Sequence, residues 1–494
     1  MILIALIVIP ALTALEVMFA RHAGQAKNFS AVGMSIQLIT SFYLLFIFLK
    51  ERAAGNMEAI LFGNRFEWYP ALNINFDIGV DGISVSMILL TSIVIFTGIF
   101  ASWEVKEQFR EFFASLIILA AGVFGFFISL DLFVMFLFFE LAVIPMYLLI
   151  GIWGSGKKEY SAMKLTLMLM AGSALLVVGI LGIYFHSDVN GVHSFNLLEL
   201  TQQQFPIEMQ RIFFPVTFIG FGVIGALFPF HTWSPDGHSS APTAVSMLHA
   251  GVLMKLGGYG CLKVAIGLMP EAAHELSWIF LILTSISVIY GALGVIAQSD
   301  LKYINAYSSV SHCGLVLFAI LMLNETAANG AVLQMISHGL MTALFFALIG
   351  MLYSRTHTRI VHEMGGLMKV LPFLSVCYVI AGLASLGLPG LSGFVAEMTI
   401  FVGAFQHPDM FHRVITIVAI SSIVVTAVYI LRVVGSLLMG PIKKEAYQHL
   451  EPAKWHEKLA TVTLIVAIVI IGIAPLWLSD MIMGSLGAIL DLRF

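Results

Sequence analysis

The chain alternates long apolar runs with short polar stretches. Runs long enough to cross a bilayer core of about 30 Å occur at 2–19, 31–49, 81–102, 112–130, 132–151, 164–185, 212–230, 243–269, 276–297, 302–323, 328–353, 371–403, 411–438 and 459–482. The pattern predicts an all-α polytopic membrane protein of about fourteen transmembrane helices. Two stretches between runs are more than turns. Residues 51–80 mix aromatics, glycine and alternating positions, which predicts a small hairpin on the helix ends, and residues 187–211 predict a loop with a short amphipathic helix.

Two breaks stand out, one between the seventh and eighth runs and one inside the twelfth. Pro229, Pro235 and Pro242 flank a polar segment holding His231, Thr232, Trp233, Asp236, His238 and Ser239. Proline removes a backbone donor, and lipid offers the freed groups no partner, so this break must face protein or water. The run 371–403 is too long for one straight helix and carries Leu386-Gly387-Leu388-Pro389-Gly390-Leu391-Ser392-Gly393-Phe394 in its middle. The seventh and twelfth spans are therefore expected to be interrupted, with Glu397 beside the second break. One such helix in each half is the sequence trace of an inverted-repeat transporter.

Composition sharpens this picture. Of 494 residues, 60% are hydrophobic and 11% charged, and the mean hydropathy of +0.98 lies far outside the range of soluble globular chains. A net charge of −4 with no basic run argues against nucleic acid as a partner. Cys261, Cys313 and Cys377 fall in separate apolar runs, which argues against a disulfide framework or an iron–sulfur cluster, and no redox or metal centre is expected in this chain. The first basic residues, Arg21 and Lys27, follow the first apolar run, unlike a cleaved leader. With the N-terminus outside, inner loops carry fifteen basic residues and outer segments seven, Lys263 and Arg493 among them. That bias predicts both termini outside.

The segments Phe230-His231-Thr232-Trp233-Ser234-Pro235-Asp236-Gly237-His238, Ala241-Pro242-Thr243, Leu253-Met254-Lys255 and Gly258-Tyr259-Gly260 resemble the signature of the antiporter-like membrane subunits of respiratory complex I, the M type most closely. Asp300-Leu301-Lys302-Tyr303 and the following Ala306 to Gly314 match as well. The resemblance runs over nearly the whole chain. It implies three N-terminal spans with the hairpin (1–111), two inverted five-helix repeats (112–269 and 276–438), and a last loop and span (439–494). It also implies a proton-translocating subunit of a complex I-like NADH:quinone oxidoreductase in a bacterial inner membrane. L-type and N-type chains would be its partners. NADH, FMN, iron–sulfur clusters and quinone would belong to other subunits, with no cofactor in this chain. The relatives leave two alternatives, a subunit of an Mrp-type cation/proton antiporter and the membrane arm of an energy-converting hydrogenase, and a third reading is a scaffold that no longer pumps.

Few ionisable residues lie inside the spans, and these are the candidates for moving protons. Lys255 falls near mid-membrane, twelve residues past Thr243; a buried amine switches readily between charged and neutral forms. Glu140 lies within the fifth span, His312 and His338 share a depth in adjacent spans, and Lys302 sits at the inner end of the tenth, where it would close a water path. By resemblance, Glu140 belongs to the input half-channel, Lys255 is the central lysine, and Glu397 ends the line on the exit side. Arg432 cannot shuttle a proton and is expected to hold Glu397 or to reach the interface. The family's seventh-span lysine, the usual partner of the fifth-span glutamate, is Ile224 here, and His249 is the candidate to replace it between Glu140 and Lys255.

Overall fold

The computed structural model describes residues 1–189 and 191–490; Arg493 lies outside them. Its helices are α1 (Ile2–Met18), α2 (Ala23–Ala53), α3 (Gly82–Ala101), α4 (Phe109–Ile128), α5 (Leu132–Trp153), α6 (Lys158–His186), α7 (Leu197–Thr201), α8 (Ile207–Ile224), α9 (Trp233–Ser240), α10 (Thr243–Leu248), α11 (Met254–Gly260), α12 (Pro270–Ile296), α13 (Leu301–Ile320), α14 (Glu325–Thr356), α15 (Pro372–Ser385), α16 (Ser392–Phe405), α17 (Met410–Leu438), α18 (Trp455–Ile473) and α19 (Leu476–Leu490). Between α2 and α3 the strands β1 (Leu61–Tyr69) and β2 (Ile74–Val80) pair antiparallel. Eleven of the helices are long and apolar enough to cross a membrane. α3, α13 and α14 are buried nearly all round, whereas α2, α17 and α18 display apolar surface suited to lipid.

The order of elements repeats. The series α4, α5, α6, broken α8/α9 and the segment from α10 is followed by α12, α13, α14, broken α15/α16 and α17. Five crossings are an odd number, so the second series enters from the opposite end of the bundle. The breaks fall where the prolines put them. α8 stops at Ile224 and helix resumes at Trp233; α15 stops at Ser385 and resumes at Ser392. Gly387 and Gly390 take positive φ in the second gap, at +68° and +90°, a region costly for any residue with a Cβ.

Two runs depart from the expected single helices. The run 243–269 contains π-helical turns at His249–Leu253 and Cys261–Ile266 on either side of α11. Close backbone contacts flank them: a Cβ on Gly257 would lie 2.4 Å from the Gly225 nitrogen, and one on Gly251 3.1 Å from the Gly339 carbonyl. The run 459–482 divides at Ala474-Pro475, because proline withholds a donor and disfavours helix in the residue before it. α19 then lies at the hairpin end of the bundle. Ser485 Oγ accepts from the Gly82 nitrogen at 2.8 Å, and Ser479 Oγ accepts from Asn329 Nδ2 at 2.7 Å.

The hairpin is tied to the α4–α5 turn. Leu130 N donates to Asp77 O (2.8 Å) and Leu197 N to Leu130 O (2.7 Å). Asp131 caps α5, accepting from Phe133 N and Val134 N through Oδ1 and from Asn75 N through Oδ2. Burial pushes the Asp131 carboxyl up to about 6, against the opposing pull of those three backbone donors.

Candidate functional site

Four of the expected residues converge where the two series meet. Lys255, on α11, is 2% exposed, and its Nζ lies 2.7 Å from Nδ1 of His338 on α14 and donates to the Ala250 carbonyl exposed by the neighbouring π turn. The His338 and His312 rings lie 5.2 Å apart, centroid to centroid. His312 Nδ1 is 2.9 Å from Gln334 Nε2 and 3.7 Å from Glu397 Oε1. All of these side chains are buried.

The helices explain the geometry. His312 and His338 sit mid-helix on the enclosed α13 and α14, and Glu397 stands just over one turn into α16, past the second break. A Cβ on Gly387 would be 2.7 Å from Glu397 Oε2, so the glycine makes room for the carboxylate. A cavity of about 10 Å³ lies beside it, lined by Ser311, His312, Ser385, Glu397, Ser422 and Thr426. That is the size of one water among polar partners.

The chemistry follows from the donor pattern. An ammonium on Lys255 donates to His338 Nδ1, which places the imidazole proton on Nε2. Transfer across the 2.7 Å contact makes His338 the cation. Reaching Glu397 from His312 requires closing 3.7 Å, more than a hydrogen bond, by a small side-chain movement or an intervening water.

The other expected residues stand elsewhere. Lys302 is buried and its Nζ donates to Ala241 O at 2.5 Å, across the α9–α10 junction. Glu140 is half-buried on the outward face of α5, beside exposed Leu137, Leu141 and Ile144, and accepts from Ser173 Oγ on α6. Among the described residues no ion pair joins it to Lys255. Ile224 is fully buried at the end of α8, whose preceding residue Val223 packs on Gly172, next to Ser173. An isoleucine there offers the glutamate no charge.

His249 makes no direct bridge from Glu140 to Lys255. Its ring stacks on Trp233 at 5.1 Å and meets His238 at 4.1 Å, and it forms no hydrogen bond to Glu140 or Lys255. The π turn and the return of α9 carry it toward the first break. Arg432 does not hold Glu397 either: it is exposed, and Nη2 donates to Ile296 O at 3.0 Å. Lys263, counted above with the outer segments, is buried and paired with Asp81 at 2.6 Å.

Sequence reasoning passed over Gln334, the neighbour of His312, and His238, the neighbour of His249. Gln334 lies one turn before His338 on the same helix, a spacing of four that was legible. The His238–His249 contact depends on the chain doubling back at Pro242 and left no periodic trace.

A multi-span helical bundle of two five-member series, each broken once, with buried ionisable side chains at their junction, defines a transporter-like membrane protein. The family comparison agrees: residues 129–426 match the family described as NADH:quinone oxidoreductase/Mrp antiporter, TM. The chain belongs to that family. It is 39% identical over 379 residues to NAD(P)H-quinone oxidoreductase chain 4-2 of Synechocystis sp., covering 76% of this chain and 67% of the relative. It is 36% identical over 432 residues to chain 4 3 of Picosynechococcus sp., covering 87% and 78%. In fold it is similar to a chain of respiratory complex I from Thermus thermophilus, with a TM-score of 0.89, 23% identity and full coverage of both chains.

Proposed function

We propose that this chain is a proton-translocating M-type subunit of a complex I-like NADH:quinone oxidoreductase, set among L-type and N-type chains in a bacterial inner membrane with both termini outside. The carrying observation is the buried row Lys255, His338, His312, Glu397 at the junction of the two helix series, hydrogen-bonded from Lys255 to His338 and with neighbouring groups 5.2 Å (ring centres) and 3.7 Å apart beyond. NADH, FMN, iron–sulfur clusters and quinone work in partner subunits; this chain contributes charge-coupled proton movement. Lys302 and the His238–His249 pair form the approach to Lys255 from the α9 end. Glu140, on the outward face, is the point where a charge change in a neighbouring chain is felt.

The driving term is electrostatic. Two like charges 10 Å apart at an effective dielectric near 20 repel by about 1.7 kcal/mol, a little over one pKa unit. A charge arriving near one end of the line therefore biases the next proton without trapping it. The curated relatives named above, both chains of quinone oxidoreductases, support this reading over a stand-alone antiporter.

The test is proton pumping in membrane vesicles with normally assembled complex. Lys255→Ala and Glu397→Gln are each expected to stop acidification and to slow quinone reduction, since electron transfer stalls when a charge step cannot complete. Acidification at the wild-type rate in either variant overturns the assignment.

A further inference from the structure

A second buried ionisable cluster lies on the same helix as Lys255 and takes no part in the line just described. Tyr259 follows Lys255 by four residues and Lys263 follows Tyr259 by four, so the three point to one side, running toward the hairpin end. The Tyr259 hydroxyl is 2.8 Å from Ser84 Oγ. Lys263 Nζ lies 3.3 Å from Ser84 Oγ, 4.8 Å from the centre of the Tyr259 ring and 2.6 Å from Asp81 Oδ2. Asp81 Oδ1 accepts from Ser84 N at 2.8 Å, as the cap of α3. All five residues, Lys255 included, are 4% exposed or less.

The surroundings close this path. Phe126 and Phe127 pack edge-on to Tyr259, at 5.7 and 5.1 Å. α19 covers the cluster from the hairpin end: a Cβ on Gly82 would lie 2.0 Å from the Met481 carbonyl. A cavity of about 10 Å³ next to Lys255 has mostly apolar walls, Gly225, Met254, Val316, Leu317 and Met335 among them.

The hydroxyls of Tyr259 and Ser84 each donate and accept, so together they make a short relay pointing away from Lys255. The relay ends on an ammonium. An ammonium has three donors and no acceptor, and this one is held by the Asp81 carboxylate, whose other oxygen accepts from Ser84 N. A proton arriving by the hydroxyls meets a fixed positive charge that repels it.

We propose that Tyr259 and the Lys263–Asp81 pair form a seal that stops a proton on Lys255 from leaving directly toward the hairpin end, so that His338 is its way onward. This rests on the proton-carrying role of Lys255 proposed above. It gives a charged pair deep in a membrane protein a reason to be there beyond stability, to which buried pairs contribute little net.

The experiment reads passive leak, not turnover. Membrane vesicles carrying the assembled complex receive an acid pulse without substrate, and the decay of the pH gradient is followed. Lys263→Gln with Asp81→Asn replaces the pair by neutral groups that both donate and accept; the leak is expected to rise several-fold. Lys263→Arg keeps a fixed cation and is expected to stay tight. Adding Lys255→Met to the leaky double variant is expected to close it again. A double variant no leakier than wild type overturns the seal, and a leak that persists without Lys255 overturns it equally, by showing a general packing defect. Whether Lys255 carries protons during turnover is read separately from pumping, so a failure of the seal is distinguishable from a failure of that role.

Discussion

At the residue scale, the structure separates side chains that share a role from those that share only a composition. Lys255, His338, His312 and Glu397 touch or nearly touch, and their order could not be read along the chain because they come from α11, α14, α13 and α16. His249 tests the distinction. Packed between Trp233 and His238, it is expected to serve the approach to Lys255 and not to replace the lysine absent at Ile224. His249→Leu should therefore slow pumping, and adding Ile224→Lys should not restore it. Recovery in the double variant, measured as acidification of vesicles, would place His249 back in the Glu140 circuit. His338→Leu is expected to lower pumping by about 10²-fold or more, the scale of one lost acid–base group, while leaving assembly intact; assembly is checked by copurification of the complex.

At the element scale, two features hold the site in place. α11 crosses the end of α8 backbone to backbone at Gly257, where a Cβ would meet the Gly225 nitrogen at 2.4 Å and the Phe221 carbonyl at 2.5 Å. Gly257→Ala must part the two helices, at a cost of about 1–3 kcal/mol. The expected result is a lower unfolding temperature together with weakened pumping, since Lys255 is two residues away. The second feature is the Asp131 cap. Its carboxyl is raised to about 6 in the folded chain by burial. The folded state then binds more protons than the unfolded state between about pH 4 and pH 6, so stability falls as pH rises through that window and levels off above it. The shift is worth about 3 kcal/mol at most. Asp131→Asn keeps an N-cap acceptor without the charge, and is expected to flatten this part of the pH–stability curve; thermal unfolding at pH 4.5 and 6.5 measures it.

At the scale of the whole molecule, the alternation of helices sets sidedness. The β1–β2 hairpin and α19 share one end, and the α5–α6 turn lies at the other. The loop charges predict that the hairpin end faces outside. A cysteine at exposed Glu58 is expected to react with an impermeant maleimide from outside and one at exposed Glu159 only from inside; the three native cysteines are buried and give a low background. Labelling in the reverse sense would invert the topology. The sequence by itself determined much of this protein. Apolar run length fixed where helices form, Pro229 and Pro389 fixed where two of them break, and the scarcity of charge inside the runs singled out Lys255, His312, His338 and Glu397, because an ionisable group in lipid is expensive enough to stand out in one dimension. The tertiary structure alone decided who meets whom. Helical period reaches only neighbours three or four residues apart, so it could not show that Lys255 faces His338 and not Glu140, that Arg432 turns outward to Ile296, that the run past Thr243 widens into π turns, or that Lys263 is a buried partner of Asp81 and no loop cation. Those outcomes depend on which faces of helices distant in sequence pack together, and that is set by the close approach of glycines and by the direction the chain takes after each break.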